Sequence, residues 1–247
     1  MYDARPTPIG SPVSYPWCVL GSVEGTPVTA GSTHDPAASP GVGTSPLEEC
    51  TMSLTWTPTL DRALAVAARC HAGQTRKDDP TPYIAHPVAV ALIVSDFTSD
   101  EDVAVAALLH DVLEDVPPTV YSADDMTAEF GERVTELVRG VSEEKTAGVQ
   151  TPPWRVRKEG YLARLAEDSH ECLLISAADK IHNLRSMVTA HERLGGDMWG
   201  LFNAGPEEKL WFYRAIADAV AERLGDCTAS RELRRAVDDV AALAPVG

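Results

Sequence analysis

The chain has too few cations to hold a nucleic acid by charge. Its 21 Lys and Arg stand against 37 Asp and Glu, a formal net charge of -16 with a pI of about 4.7. A nonspecific grip on a phosphate backbone needs a surplus of cations on one face, so that class of function is excluded. Any anionic small molecule has to be met by a local cluster instead. Long apolar runs are missing as well: none approaches the roughly 20 residues that span a bilayer. The N-terminus has no basic start followed by an apolar core, so it does not read as a signal peptide. Cysteine is sparse, and Cys18, Cys50, Cys70, Cys172 and Cys227 are odd in number with no CxxC spacing. They read as free thiols in a reducing compartment. A cytoplasmic protein with no membrane or nucleic-acid partner is the expectation, and the sequence leaves the oligomeric state open. Convincing runs of alternating strand pattern are absent, as is any internal repeat.

What is present divides at about residue 52. Residues 1–52 are rich in Pro, Gly, Ser and Thr and carry no period able to bury a face, so a disordered extension is expected there. Met52 opens the first segment with a folded pattern and is a candidate start of translation; an intact mass showing the full chain made in cells would reject that. Residues 53–247 read as one all-α domain. The 247-residue length suits one well-filled core and leaves no room for a nucleotide-synthetase or regulatory domain beside it. Thr57-Pro58 reads as an N-cap with Pro in the first turn, and Ser99 with Asp102 as a capping-box variant before VAVAALLHDVLEDV. Further helices are expected near 86–97, 122–130, 131–141, 155–167, 172–189, 207–224 and 230–243, punctuated by Gly73, Gly131, Gly140, Gly195-Gly196 and Pro117-Pro118.

The segment AVAALLHDVLEDV, residues 104–116, is the most informative. Its first half is apolar on every side, which places a helix in the interior, yet His110, Asp111, Glu114 and Asp115 follow within two turns. As a continuous helix it stacks His110 on Glu114 and Asp111 on Asp115. Burying these groups unpaired is prohibitive, so an ion-pair network or a metal is required, unless the helix simply emerges into solvent at Asp111. Two other segments bear on the choice. TRKDDPTPYIAHPVAV places Arg76 and Lys77 in a loop and His86 at the opening of a helix. In LLISAADKIHNLRSM, Asp179 ends an apolar run and Asn183 lies one turn beyond, able to face the same pocket. Two neutral imidazoles and two carboxylates with open positions suit Mn²⁺, Fe²⁺, Mg²⁺ or Co²⁺ better than a closed thiolate zinc site.

HxGQxRK with TPYIAHP, then LLHDxxED, then ADKIHNLR, in this order, resemble the HD hydrolase domain of RelA/SpoT-type proteins and their single-domain relatives. The resemblance implies an HD-domain helical bundle and manganese-dependent removal of the 3′-pyrophosphate of (p)ppGpp. It implies metal ligation by His86, His110, Asp111 and Asp179, and catalytic roles for Glu114 and Asp115. It also implies nucleotide contacts by Arg76, Lys77 and Asn183, with the arginine against the base and the lysine on phosphate. A family tyrosine that contacts substrate falls within WFYR, leaving Trp211, Phe212 and Tyr213 as candidates. The loop from Lys77 to Tyr83 is shorter than in animal single-domain enzymes, and the C-terminal half is closer to stand-alone bacterial HD proteins. Another nucleotide, such as NADPH or a nucleoside phosphate, is therefore the alternative substrate, and a silent nucleotide-binding HD domain the alternative outside enzymes. Lys180 and Arg185 are read as helix cations near the metal or as solvated positions, and His71 and His182 as hydrogen-bonded structural histidines.

Overall fold

Thr57 opens the first helix as its sequence demands. Its side chain accepts from the Leu60 N–H while Pro58 fills the first turn of α1 (Pro58–Cys70). The structure is a computed structural model that describes residues 55–76, 80–143 and 152–245. The expected disorder of 1–52 and the candidate start at Met52 lie outside these residues, as does Lys77. Among the described residues the chain runs through α2 (Ala85–Ser95), α3 (Glu101–Leu109), α4 (Val112–Asp115), α5 (Ala123–Phe130), α6 (Glu132–Val141) and α7 (Trp154–Leu165). Then come α8 (His170–Leu194), a 3-10 turn (Gly195–Leu201), α9 (Pro206–Leu224) and α10 (Thr228–Ala241). The all-α expectation holds. Thr75 and Pro82 form an isolated antiparallel bridge, and no strand is found among the described residues. No helix there is long and apolar enough to cross a membrane.

Two helices organise the core. Every residue of α3 from Val103 to Leu109 is buried, which a helix apolar on all sides requires. It packs against α1, α2, α6 and α8. The longest helix, α8, is capped by the Ser169 hydroxyl, which accepts from the Cys172 N–H. It lies against α2, α3, α6, α9 and α10. Because α2, α3 and α8 pack pairwise, side chains from all three can share one centre.

The sequence reading needs three corrections of detail. The expected continuous helix over 104–116 is interrupted at His110–Asp111. The His110 ring Nδ1 bonds to the Ala107 carbonyl at 2.8 Å, the acceptor that the Asp111 N–H uses in an unbroken α-helix. The cap of α3 is Asp100, whose carboxylate accepts from the Asp102 N–H, in place of Ser99. Gly140 sits inside α6 and ends nothing: a Cβ there would lie 2.7 Å from the Cys172 Sγ, so its role is the close approach of α6 to α8.

Candidate metal centre

Four side chains from three helices converge. His86 comes from the first turn of α2, His110 and Asp111 from the break after α3, and Asp179 from the middle of α8. One donor atom from each of His86, His110 and Asp111 lies within 4.8 Å of the other two. The His86 Nε2 is 3.2 Å from Asp179 Oδ1 and 3.5 Å from Asp111 Oδ2. The His110 Nε2 is 3.1 Å from Asp111 Oδ2 and 4.0 Å from Asp179 Oδ1. Both imidazoles are buried.

The donors fit a divalent cation on two grounds. His110 Nε2 is buried and makes no hydrogen bond of good geometry, although Asp111 Oδ2 lies 3.1 Å away. Leaving such an atom unsatisfied is costly, and a cation between the four groups satisfies it. The second ground is charge. Burial pushes the His86 imidazole down, with the carboxylates only partly opposing it. Burial also works against charge on His110, yet the Asp111 and Asp179 carboxylates outweigh it and push that ring up to about 9. Burial would raise Asp111 and Asp179 in turn, but the imidazoles hold Asp111, and Lys180 with the imidazoles holds Asp179, well below the carboxylate range. The carboxylates stay ionised with positive charge between them, in the place of a metal ion.

Around this centre lies a second layer of contacts. The Tyr83 hydroxyl donates to Asp111 Oδ2 at 2.6 Å. His71 packs on Tyr83 with ring centroids 4.8 Å apart and is fixed by Gln74 Oε1 at 2.9 Å, which accounts for the HxGQ motif and bears out a structural role for His71. His182 is hydrogen-bonded too, and its partner is the His86 Nδ1 at 2.8 Å. Burial, with His86 and Arg76 nearby, pushes His182 down to about 4. Asn183 donates to Asp179 Oδ1 at 2.5 Å and accepts from Arg76 at 3.0 Å, so the expected shared pocket of Asp179 and Asn183 is present. Arg76 also stands 5.8 Å from the Tyr83 ring centre. Glu114 and Asp115 follow on α4. Glu114 is half-buried and accepts from the Glu143 N–H at 3.0 Å, while Asp115 is exposed.

Of the two helix cations weighed in the sequence, Lys180 takes the place beside Asp179, whereas Glu143, Lys158 and Arg157 were not singled out there. Lys180 is largely buried against Asp179 Oδ2, with its ammonium 4.9 Å from the Tyr161 ring centre. Glu143 pairs with Lys158, and with Arg157 at 3.3 Å. Burial pushes Lys158 down despite that partner, and the neighbouring charges of Lys180 and Arg157 act in the same direction. Arg185, by contrast, is exposed and pairs with Glu232 at 3.0 Å. The WFYR candidates also separate. Trp211 stacks with Arg155, and Phe212 packs on Trp154 and Tyr161. Tyr213 is buried and shares the electrostatic surroundings of Lys180, Asp179 and Arg76; burial pushes it up to about 12.

Comparison with known proteins gives the family. The family model described as HD domain matches residues 63–197. The bifunctional (p)ppGpp synthase/hydrolase SpoT of Escherichia coli K12 is 39% identical over 135 residues, covering 52% of this chain and 18% of SpoT. The chain thus spans a small part of the bacterial relatives it matches. The guanosine-3′,5′-bis(diphosphate) 3′-pyrophosphohydrolase MESH1 of Danio rerio is 35% identical over 139 residues, covering 55% of this chain and 73% of MESH1. Among solved structures, a metazoan ortholog of SpoT, described as hydrolysing ppGpp, superposes with a TM-score of 0.60 at 28% identity, over 76% of this chain and 96% of its own.

Proposed function

This chain belongs to the HD-domain family, and on that premise we propose that it is a metal-dependent phosphohydrolase that releases pyrophosphate from the 3′ position of (p)ppGpp, leaving GDP or GTP. The observation that carries the reading is the convergence of the His86, His110, Asp111 and Asp179 donors on one buried centre bordered by cations. These four residues would hold the ion. Mn²⁺ is the favoured occupant, with Fe²⁺, Co²⁺ and Mg²⁺ as alternatives of similar donor preference. A bound divalent cation supplies polarisation of a phosphoryl oxygen and acidification of water.

The chain's own residues do the rest. Water adds to the phosphorus bonded to the 3′ oxygen, the P–O3′ bond breaks, and the ribose oxygen leaves with a proton returned to it by the carboxylate that takes one from the water. The water's proton passes to the Glu114 or Asp115 carboxylate. Glu114 is held for that task by the Glu143 N–H. Arg76, tethered by Asn183, presents a flat guanidinium to the base, and Lys77 meets phosphate from the same loop. Lys180, Lys158 and Arg157 supply the local cation cluster that a chain of net charge -16 needs to receive a phosphorylated nucleotide. Cys70, Cys172 and Cys227 are free thiols, which fits a reducing, cytoplasmic setting.

A substrate panel tests this assignment. Purified chain with Mn²⁺ is offered ppGpp, NADPH and GTP, and released pyrophosphate and phosphate are measured separately. Pyrophosphate release from ppGpp well above turnover of the others is expected. Preference for NADPH or a simple nucleoside phosphate keeps the chemistry and replaces the substrate; binding without turnover leaves a silent nucleotide-binding domain.

A further inference from the structure

The two histidines of the centre are anchored at their far nitrogens in different ways. His110 Nδ1 lies 2.8 Å from the Ala107 carbonyl. A carbonyl only accepts, so Nδ1 carries the proton and Nε2 is left as the donor atom for a cation. That anchor belongs to the helix itself, and a side-chain change cannot remove it. His86 Nδ1 instead lies 2.8 Å from another imidazole nitrogen, Nδ1 of His182, 96 residues along the chain. Two imidazole nitrogens at that distance share one proton, and the sharing is not symmetric. For His86 Nε2 to offer its lone pair between Asp111 and Asp179, its Nδ1 has to keep the proton and donate it. His182 Nδ1 must then accept, and the proton of His182 sits on its own Nε2.

We propose that His182 is the positioning residue for His86, accepting from the His86 Nδ1–H and so fixing both the tautomer and the orientation in which His86 turns Nε2 toward Asp111 and Asp179. The proposal rests on the metal-centre reading above. Its geometry is specific. His182 stands three residues after Asp179 on α8, so one helix supplies both a ligand and the strut for a second ligand carried on α2. The two rings are tilted by 42° with centroids 4.9 Å apart, an arrangement in which ring edges meet through nitrogen. His86 also makes a T-shaped contact with Tyr83, at 5.7 Å and 71°, so its ring has a second neighbour besides His182. The Ser186 hydroxyl donates to the His182 carbonyl at 3.0 Å, one turn further along the same helix. Partners of this kind raise the basicity of a ligand and hold it in register, and their loss typically lowers metal affinity by about 10–100-fold.

Mn²⁺ affinity of the purified chain, read by titration calorimetry on protein stripped with chelator, tests this without any need for turnover. His182→Phe keeps a planar ring but removes the acceptor, and an affinity loss of about 10–100-fold is expected. His182→Gln restores an acceptor oxygen, and most of the affinity is expected to return. A His182→Phe chain that binds Mn²⁺ as wild type does, with only its metal-free melting temperature lowered, overturns the proposal and leaves His182 as packing. Should that variant not fold, ¹⁵N shifts of the two rings in wild-type chain loaded with diamagnetic Zn²⁺ decide. Protons on His86 Nδ1 and His182 Nε2 support the assignment, and a proton on His182 Nδ1 overturns it. A wild-type chain that takes up no Mn²⁺, or an Asp111→Ala chain that takes it up equally well, overturns the metal centre itself and this proposal with it.

Discussion

Asp111 Oδ2 accepts from the Tyr83 hydroxyl and lies beside the ring nitrogens of both His86 and His110. A change in what Tyr83 donates therefore reaches the centre without touching a ligand. Tyr83→Phe is expected to fold normally and to weaken Mn²⁺ binding by about 10–100-fold, read by titration of metal-free protein. Glu114 is assigned a different role, as a base whose carboxylate is held by the Glu143 N–H. Glu114→Gln is expected to keep Mn²⁺ at wild-type affinity while kcat falls by about 10²–10⁴-fold, the usual worth of a positioned base. Loss of metal together with rate in that variant would move Glu114 into the ligand set. The residues legible in the sequence were those whose meaning is local: a His-Asp pair closing an apolar helix, an aspartate ending another, an asparagine one turn on. Tyr83 and Lys158 were not legible, and His182 was read as hydrogen-bonded without its partner, because their roles depend on Asp111, Glu143 and His86, which only folding brings beside them.

Among the elements, the interruption between α3 and α4 matters most for the site, because it separates Asp111 from the helix that buries His110. Periodicity could not reveal it: the residues on both sides suit a helix, and the break comes from a ring nitrogen taking the Ala107 carbonyl. Capping was better marked. Thr57 was read as the cap it is, whereas the start of α8 was expected at 172 without Ser169, and the adjacency of Ser99 and Asp100 blurred the start of α3. Gly140 carries a testable consequence at this scale. Alanine in a helix interior is worth about 1 kcal/mol over glycine, but here the added Cβ would meet the buried Cys172 Sγ at 2.7 Å. Overpacking of that kind costs about 1–3 kcal/mol, so Gly140→Ala is expected to be a net loss in denaturant unfolding. Gly140→Ala with Cys172→Ala removes the sulfur and is expected to recover at least part of it. An additive double variant would mean the two positions do not meet.

Across the whole molecule, acidic charge dominates, while at the site Lys158 and Arg157 gather on Glu143. Burial acts to raise the Glu143 carboxyl, but the hydrogen bond from Lys158 and the charges of Lys158, Lys180 and Arg157 outweigh it, leaving it below its ordinary 4.5. A depressed carboxyl stabilises the fold above its unfolded value, and that contribution is lost as pH falls through its folded value. The stability gap between wild type and Glu143→Gln is therefore expected to hold steady above about pH 4.5 and to close below it, as followed by melting temperature. Lys158 is lowered as well, so its linkage falls on the alkaline side and leaves the acid window to Glu143. A gap that stays constant down to pH 3 would mean that Glu143 is not held by charge. The all-α architecture was readable from periods and caps alone. The cation corner was not, because it is assembled from the end of α6, α7 and α8.

In the proposed reaction, the four residues His86, His110, Asp111 and Asp179 would hold the metal on which pyrophosphate release from the nucleotide depends. Conversion of ppGpp to GDP and pyrophosphate is best followed for chelator-stripped wild type and Asp111→Ala, each with and without added Mn²⁺. Turnover that needs the metal, one bound ion per wild-type chain, and neither ion nor turnover in Asp111→Ala are the predicted results. Pyrophosphate release that proceeds without metal, or that survives in Asp111→Ala, would contradict the account.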